Sequence, residues 1–213
     1  MKRFIQNWFN ISVFIAGFVA MVAILFVDDA LTKLQLAALV FILLHFFEEF
    51  GWPGGFPLMG VKVLMSSGEM DKEKWGANNL SSMFGNWFFC LCIYVLPICF
   101  PRVGFLVLAG MMFNFLEVFM HLILFNVKQR TLYNPGLVTG IFGLGTIGCL
   151  YFFGYGDAFK PELFAWYDWA IAAVLMVAVF LFSFRSKLYW NLGKKPGYPF
   201  LDQTAYGDGY KGK

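Results

Sequence analysis

Charged residues are scarce in this chain of 213 residues. Only 14% of the residues are charged, whereas 60% are hydrophobic and 21% are aromatic, and the mean hydropathy is +0.67. A water-soluble domain carries about 25% charged residues, because its surface must face water. The shortage of polar surface therefore excludes a soluble globular domain and predicts an integral membrane protein.

Basic residues and cysteines are also too few for two further classes of protein. The net charge of +3 is small and scattered, whereas a nucleic-acid-binding protein concentrates its basic residues on one face. We therefore expect no nucleic-acid partner. The four cysteines lie within apolar runs, where buried reduced thiols are expected rather than a disulfide framework.

Apolar runs that approach the length of a membrane span, about 20 residues, occur six times. The predicted spans are residues 10–27, 34–50, 79–100, 103–127, 135–153 and 163–184. They predict an all-α fold, a polytopic transmembrane bundle of about six helices. We expect a single transmembrane domain over residues 1–190, followed by a cytoplasmic C-terminal tail over residues 191–213.

The basic residues predict how this bundle is oriented, because lysine and arginine accumulate on the cytoplasmic side. With six spans and both termini inside, only Lys33, Arg102 and Lys160 fall in outer turns, and the remaining basic residues fall on the inner side. The asymmetry predicts a multi-pass protein of the cell (inner) membrane, with both termini in the cytoplasm.

Apart from Asp168, at the interfacial start of the sixth span, five acids and histidines lie inside the predicted spans. His45, Glu48 and Glu49 lie in the second span, and Glu117 and His121 lie in the fourth. Ionisable groups inside a bilayer are costly unless they are paired or liganded, and they mark functional sites by default. At about 100° per residue, each set occupies one face of its helix.

Asparagines accompany these residues at a similar depth. In the fourth span, Asn114 lies on the same helix face as Glu117 and His121. In the third span, Asn79 and Asn86 share one face. In the predicted topology all three polar faces lie in the cytoplasmic half of the membrane, about 8–10 Å below its surface. We expect the faces to converge, with the asparagines orienting ligands or binding a polar substrate head.

Two histidines and three glutamates form a set of metal ligands, because imidazole and carboxylate suit zinc, iron or manganese. A site with one divalent ion would use His45, His121 and Glu117, leaving Glu48 or Glu49 as general base. A site with two ions would use all five residues, like the carboxylate-bridged sites of helix bundles. The alternative without a metal is a buried polar network that specifies helix packing.

The segment H-F-F-E-E at residues 45–49 resembles the HXXEE-domain proteins, a family of membrane proteins named for this motif. Three further segments are similar to later blocks of the family, namely residues 51–57, the group Asn114-x-x-Glu117-x3-His121 and residues 133–136. The resemblance covers about residues 35–150. It implies a small multi-helix membrane protein and is compatible with an enzyme, but it implies no substrate or reaction.

These observations together predict a metal-dependent membrane enzyme that acts on a lipid or other hydrophobic substrate, by hydrolysis or by metal–oxygen chemistry. The alternatives are a proton- or ion-coupled carrier that uses the same residues, and a non-catalytic membrane subunit of a larger complex. A membrane-protein partner and a homo-oligomer are both compatible with the chain. The sequence leaves open whether residues 51–57 form a re-entrant turn or simply end the second span.

Overall fold

The computed structural model describes residues 1–154 and 164–208, and within these ranges the chain is helical without any β-strand. The prediction of an all-helical protein is confirmed. In chain order, the helices are α1 (Lys2–Gln6), α2 (Trp8–Leu25), α3 (Ala30–Phe50), α4 (Phe56–Val63), α5 (Asn79–Cys99), α6 (Gly104–Gln129), α7 (Thr139–Phe153), α8 (Trp166–Arg185), α9 (Lys187–Gly193) and α10 (Asp202–Tyr206).

Five helical segments in the described ranges are long and apolar enough to cross a membrane. They are α2, α3, α5, α6 and the segment Trp166–Gly193, which combines α8 and α9. The predicted fifth span corresponds to α7, a shorter apolar helix. The helix consists of two adjoining stretches of 7 and 8 residues. Its length is about 22 Å, which is less than the thickness of the hydrocarbon core, about 30 Å.

The prediction of six spans is therefore not confirmed, and the cytoplasmic location of both termini stays a prediction. Two parts of the predicted topology lie outside the described residues. They are the outer turn with Lys160, together with the start of the sixth span at residue 163, and the end of the tail at residues 209–213.

Side-chain caps explain where two of the long helices begin. Asp29 precedes α3, and its carboxylate accepts hydrogen bonds of 2.7 Å from both the hydroxyl and the backbone N–H of Thr32. These bonds lower the pKa of Asp29. Asn78 precedes α5 and accepts from two backbone N–H groups in a capping box with Ser81. Both caps satisfy N–H groups that the first turn of a helix leaves unpaired.

Helix α3 is the centre of the bundle, where it contacts α2, α4, α5, α6, α7 and α10. Its close approach to α7 depends on Gly143, because a Cβ atom there would overlap the ring of Phe41. The histidine and glutamates of α3 are consequently buried among other helices instead of facing lipid.

The chain beyond α9 folds back over one end of the bundle. Phe200 is buried there, the Thr204 carbonyl accepts from the N–H of Gly55 at 3.0 Å, and the Lys72 ammonium lies 2.6 Å from Asp202. Residues 51–55 form a turn after α3, and α4 follows and packs against α10. The described part of the tail therefore covers the segment that follows the glutamate pair.

Candidate metal centre

Four side chains from two helices converge at one point. His45 and Glu49 lie one turn apart on α3, and Glu117 and His121 lie one turn apart on α6. Nε2 of His45 lies 3.5 Å from Oε1 of Glu49 and 3.5 Å from Oε2 of Glu117. Nε2 of His121 lies 3.5 Å and 3.3 Å from the same two oxygens. Each imidazole nitrogen therefore faces one carboxylate oxygen from each helix.

Three of these side chains, His45, Glu117 and His121, form a group that could hold a metal ion. Zinc binds nitrogen and oxygen ligands at about 2.0–2.2 Å, so neighbouring corners of its tetrahedron lie about 3.3–3.5 Å apart. The four separations between nitrogen and oxygen, 3.3–3.5 Å, match this value, and they exceed the roughly 2.7–2.9 Å of a charge-assisted hydrogen bond. The ligand atoms of His45, Glu117 and His121 lie within 4.8 Å of one another, and Glu49 is not part of that group, so the donors are spread more widely than the corners of a regular zinc tetrahedron.

The Nδ1 atom of His45 is held by a hydroxyl group. It lies 2.8 Å from Oγ1 of Thr139, and that oxygen lies 2.6 Å from Oε2 of Glu48. A hydroxyl has one hydrogen, which Thr139 donates to the carboxylate at the shorter distance, so its oxygen accepts from the Nδ1–H of His45. In the neutral imidazole this arrangement leaves a lone pair on Nε2, the atom that faces the converging carboxylates.

The ring of His121 is oriented in the same way, by the side-chain amide of Asn134. Its Nδ1 lies 2.6 Å from Oδ1 of Asn134. The amide cannot be reversed, because Nδ2 of Asn134 donates to the His121 carbonyl and to Oδ1 of Asn126, both at 2.7 Å. His121 therefore donates through Nδ1–H, and in its neutral form it presents a lone pair on Nε2. Both histidines thus have the orientation and the second partner typical of metal ligands.

Glu48, predicted as a ligand or general base, lies outside this group of four. Its Oε1 accepts from the hydroxyl of Tyr133 and the N–H of Val138, each at 3.1 Å, and its Oε2 accepts from both the N–H and the hydroxyl of Thr139. The carboxylate therefore caps the start of α7, where N–H groups are otherwise unpaired. Burial and the charge of Glu48 raise the pKa of Tyr133, which keeps that phenol protonated as a donor.

An apolar cavity of about 390 Å³ adjoins the four converging residues, all of which line it. Its walls come chiefly from phenylalanine, leucine and methionine side chains of the helices around the site. Small-molecule sites occupy about 300–1,000 Å³ and combine apolar walls with a few convergent polar groups. Volume and lining therefore both fit a binding site for a hydrophobic molecule.

The three asparagines predicted to support the site are dispersed by the fold. Asn86 lines the cavity. Asn79 donates from its amide to the Pro199 carbonyl at 3.1 Å, and Oδ1 of Asn114 accepts from the Tyr94 hydroxyl at 2.9 Å. Asn79 therefore binds the tail and Asn114 binds α5. Of the three asparagines, only Asn86 reaches the cavity.

Two functional residues escape sequence reasoning, namely Thr139 and Asn134. Neither is ionisable, and both lie far from the HXXEE motif along the chain. The signals that point to them are the resemblance at residues 133–136 and the local helix geometry. The stretches Phe119–Phe125 and Thr139–Gly145 are π-helical, and such turns are frequent at functional sites.

We expect Thr139→Val to weaken metal binding by about 10–100-fold, the usual effect of removing a group that orients a ligand. Valine keeps the shape of threonine but leaves Nδ1 of His45 without its acceptor. Competition with a chromophoric chelator on the full-length protein measures the affinity. Thr139→Ser keeps the hydroxyl and is the control, so equal affinities in the two variants would contradict the orienting role.

Comparison with known proteins identifies one family. The family described as "Protein of unknown function with HXXEE motif" matches residues 36–152, more than half of the chain. No curated protein and no solved structure matches the chain significantly. The matched segment contains all four converging side chains as well as Thr139 and Asn134.

Proposed function

The chain belongs to the HXXEE family, and we propose that it is a metal-dependent membrane enzyme acting on a lipid or other hydrophobic substrate. One observation carries the proposal. Two imidazole nitrogens and two carboxylate oxygens face one another at 3.3–3.5 Å on the wall of an apolar cavity. Both histidines direct Nε2 at the same two carboxylate oxygens, and in the neutral form each Nε2 offers a lone pair to an ion placed between them.

The residues that would hold the ion are His45, Glu49, Glu117 and His121. This donor set suits zinc, iron and manganese. A divalent ion bound there supplies Lewis-acid polarisation of a substrate oxygen, or activation of water. Each of the two carboxylates uses one oxygen in the contacts described above, and the other oxygen remains for proton transfer.

Glu117 is the better placed of the two for a general base. Its side chain is 16% exposed, against 5% for that of Glu49, and it borders the cavity. A general base must reach the proton that it removes, and the more exposed carboxylate meets that condition. Glu48 would act at a distance, by holding the hydroxyl that orients His45.

The walls of the cavity define the kind of substrate. Phe46, Phe89 and Phe113 line it beside the polar group and are themselves buried. Apolar walls exclude water, which strengthens the electrostatic interactions of the four charged or polar side chains with a bound molecule. A lipid or a similarly apolar molecule fits this lining, whereas a sugar or nucleotide would lose its hydration without replacement.

The test is conversion of lipid by purified full-length protein in nanodiscs. The protein is incubated with a membrane lipid extract, and the lipids are compared by mass spectrometry with added zinc, iron or manganese and with a chelator. We expect a product that requires the metal, disappears in Glu117→Gln and persists in Glu73→Gln, a change at an exposed loop acid. A metal-loaded protein that changes no lipid, or one that moves protons across liposomes through Glu117, would contradict the proposal.

A further inference from the structure

The cavity beside the candidate metal centre opens toward lipid. Leu116 on α6 and Val177 and Leu181 on α8 line it, yet they are 42%, 59% and 51% exposed. Side chains that line a cavity and are also exposed mark its opening. Both helices belong to segments long and apolar enough to cross a membrane, so an opening between them faces hydrocarbon rather than water.

The cavity is elongated along these helices. Its lining residues on α8 extend from Met176 to Arg185, which corresponds to about 13 Å of helix. On α6 they extend from Phe113 to Phe125, about 18 Å. A space that extends along two helices and has mostly apolar walls suits an extended alkyl chain.

One arginine and no lysine lines the cavity among the described residues. Arg185, the last residue of α8, borders the cavity and is exposed, and no other described residue forms an ion pair or hydrogen bond with its guanidinium. Asn86 lies at the same end, because its neighbour Gly85 packs directly against Phe184. An unpaired guanidinium binds carboxylate or phosphate through two parallel hydrogen bonds.

We propose that the cavity takes the alkyl chain of an anionic lipid, that Arg185 binds its carboxylate or phosphate head, and that the chain reaches the cavity between α6 and α8. This inference rests on the proposed function and names the substrate class for the same site. An arginine at the end of a membrane helix also occurs simply to reach the interface. Here the guanidinium borders the same cavity as the candidate metal centre, so a lipid bound by Arg185 would share that cavity with the reactive groups.

Equilibrium binding of radiolabelled dodecyl phosphate, dodecanoate and dodecanol to full-length protein tests the proposal. The protein is held in phosphatidylcholine nanodiscs, and binding to empty nanodiscs is subtracted. We expect one or both anions to bind, and Arg185→Gln to weaken anion binding at least about tenfold without changing the binding of the alcohol. Binding of phosphate alone indicates a phospholipid-like substrate, and binding of carboxylate alone indicates a fatty acid.

Lys187→Gln is the matched control, because this cation lies two residues further on, is exposed and does not line the cavity. Equal losses in the two variants, or wild-type protein that binds the alcohol as tightly as both anions, would overturn the proposal. Access is tested with Leu181→Trp, which narrows the opening and should slow association. Leu122→Trp, at an exposed residue of α6 away from the cavity, should leave the rate unchanged.

The two proposals fail in different experiments, because the binding assay requires neither a metal nor turnover. If the purified protein holds no metal but its anion binding depends on Arg185, the binding site is supported and the metal-dependent enzyme is refuted. If lipid turnover requires the metal but Arg185→Gln leaves it unchanged, the enzyme is supported and the proposed binding site is refuted.

Discussion

His45→Ala and His121→Ala are each expected to lower metal affinity by at least about 100-fold. Wild-type protein should hold about one equivalent of zinc, iron or manganese. Each substitution removes one of four donors and leaves two carboxylates 3.3–3.5 Å from the remaining imidazole. The loss should exceed the roughly 10–100-fold effect of groups that only orient ligands. Elemental analysis of purified protein and chelator competition measure content and affinity.

Asn114→Ala is the matched control for these histidine variants. It truncates a fully buried polar residue on the helix of His121, but its hydrogen bonds are to Tyr94 and Met111 rather than to the group of four. We expect it to lower stability and keep the metal. Unchanged metal content in both histidine variants, or a wild-type protein without metal, would refute the candidate metal centre.

Gly136→Ala is expected to disrupt the same centre although it replaces none of the four converging residues. Gly136 has a φ of +100°, and a Cβ atom there would overlap the rings of both His45 and His121. The methyl group must push the imidazoles apart, because protein interiors have little free space. We expect metal affinity to fall at least about tenfold, together with a loss of thermal stability.

Gly197→Ala separates backbone strain from ring displacement. Gly197 has a similar φ of +91°, but a Cβ atom there would meet nothing within 4 Å. Both variants should show the cost of placing alanine in the left-handed region, about 1–2 kcal/mol, in thermal melting experiments. Only Gly136→Ala should lose metal, and equal metal affinities in the two variants would show that the rings are not confined as described.

The residues of one helix that share a face follow from the sequence. His45 and Glu49, and likewise Glu117 and His121, are four positions apart, and an α-helix brings such residues to one side regardless of its neighbours. The resemblance to the HXXEE family is also confirmed from these segments. Local geometry therefore suffices to nominate the four residues that the structure brings together.

The choice between the adjacent glutamates does not follow from the sequence. Glu48 and Glu49 are chemically identical and differ by about 100° in direction, so both fit the predicted polar face. The start of α7 decides between them, because it presents the N–H groups of Val138 and Thr139 to Glu48. These two hydrogen bonds join residues that are 90 and 91 positions apart in the sequence.

The length of the fifth predicted span has a similar explanation. Hydropathy alone extends it from residue 135, but the turn at Asn134 and Gly136 is held inside the protein by the two histidines. The helix α7 begins only after this turn. An apolar composition reports that a segment avoids water, and it does not distinguish a span from a shorter helix packed against other helices.

Composition and helical period are enough to indicate a helical protein with segments apolar enough to cross a membrane, and with its histidines and acids on particular faces. These properties depend on the solvent and on the geometry of a single helix. The tertiary structure alone decided that Glu48 supports α7, that Thr139 and Asn134 set both histidine tautomers, and that Arg185 shares the cavity. Each of these contacts depends on the packing of separate helices or loops, and such contacts leave no periodic signal in a single sequence.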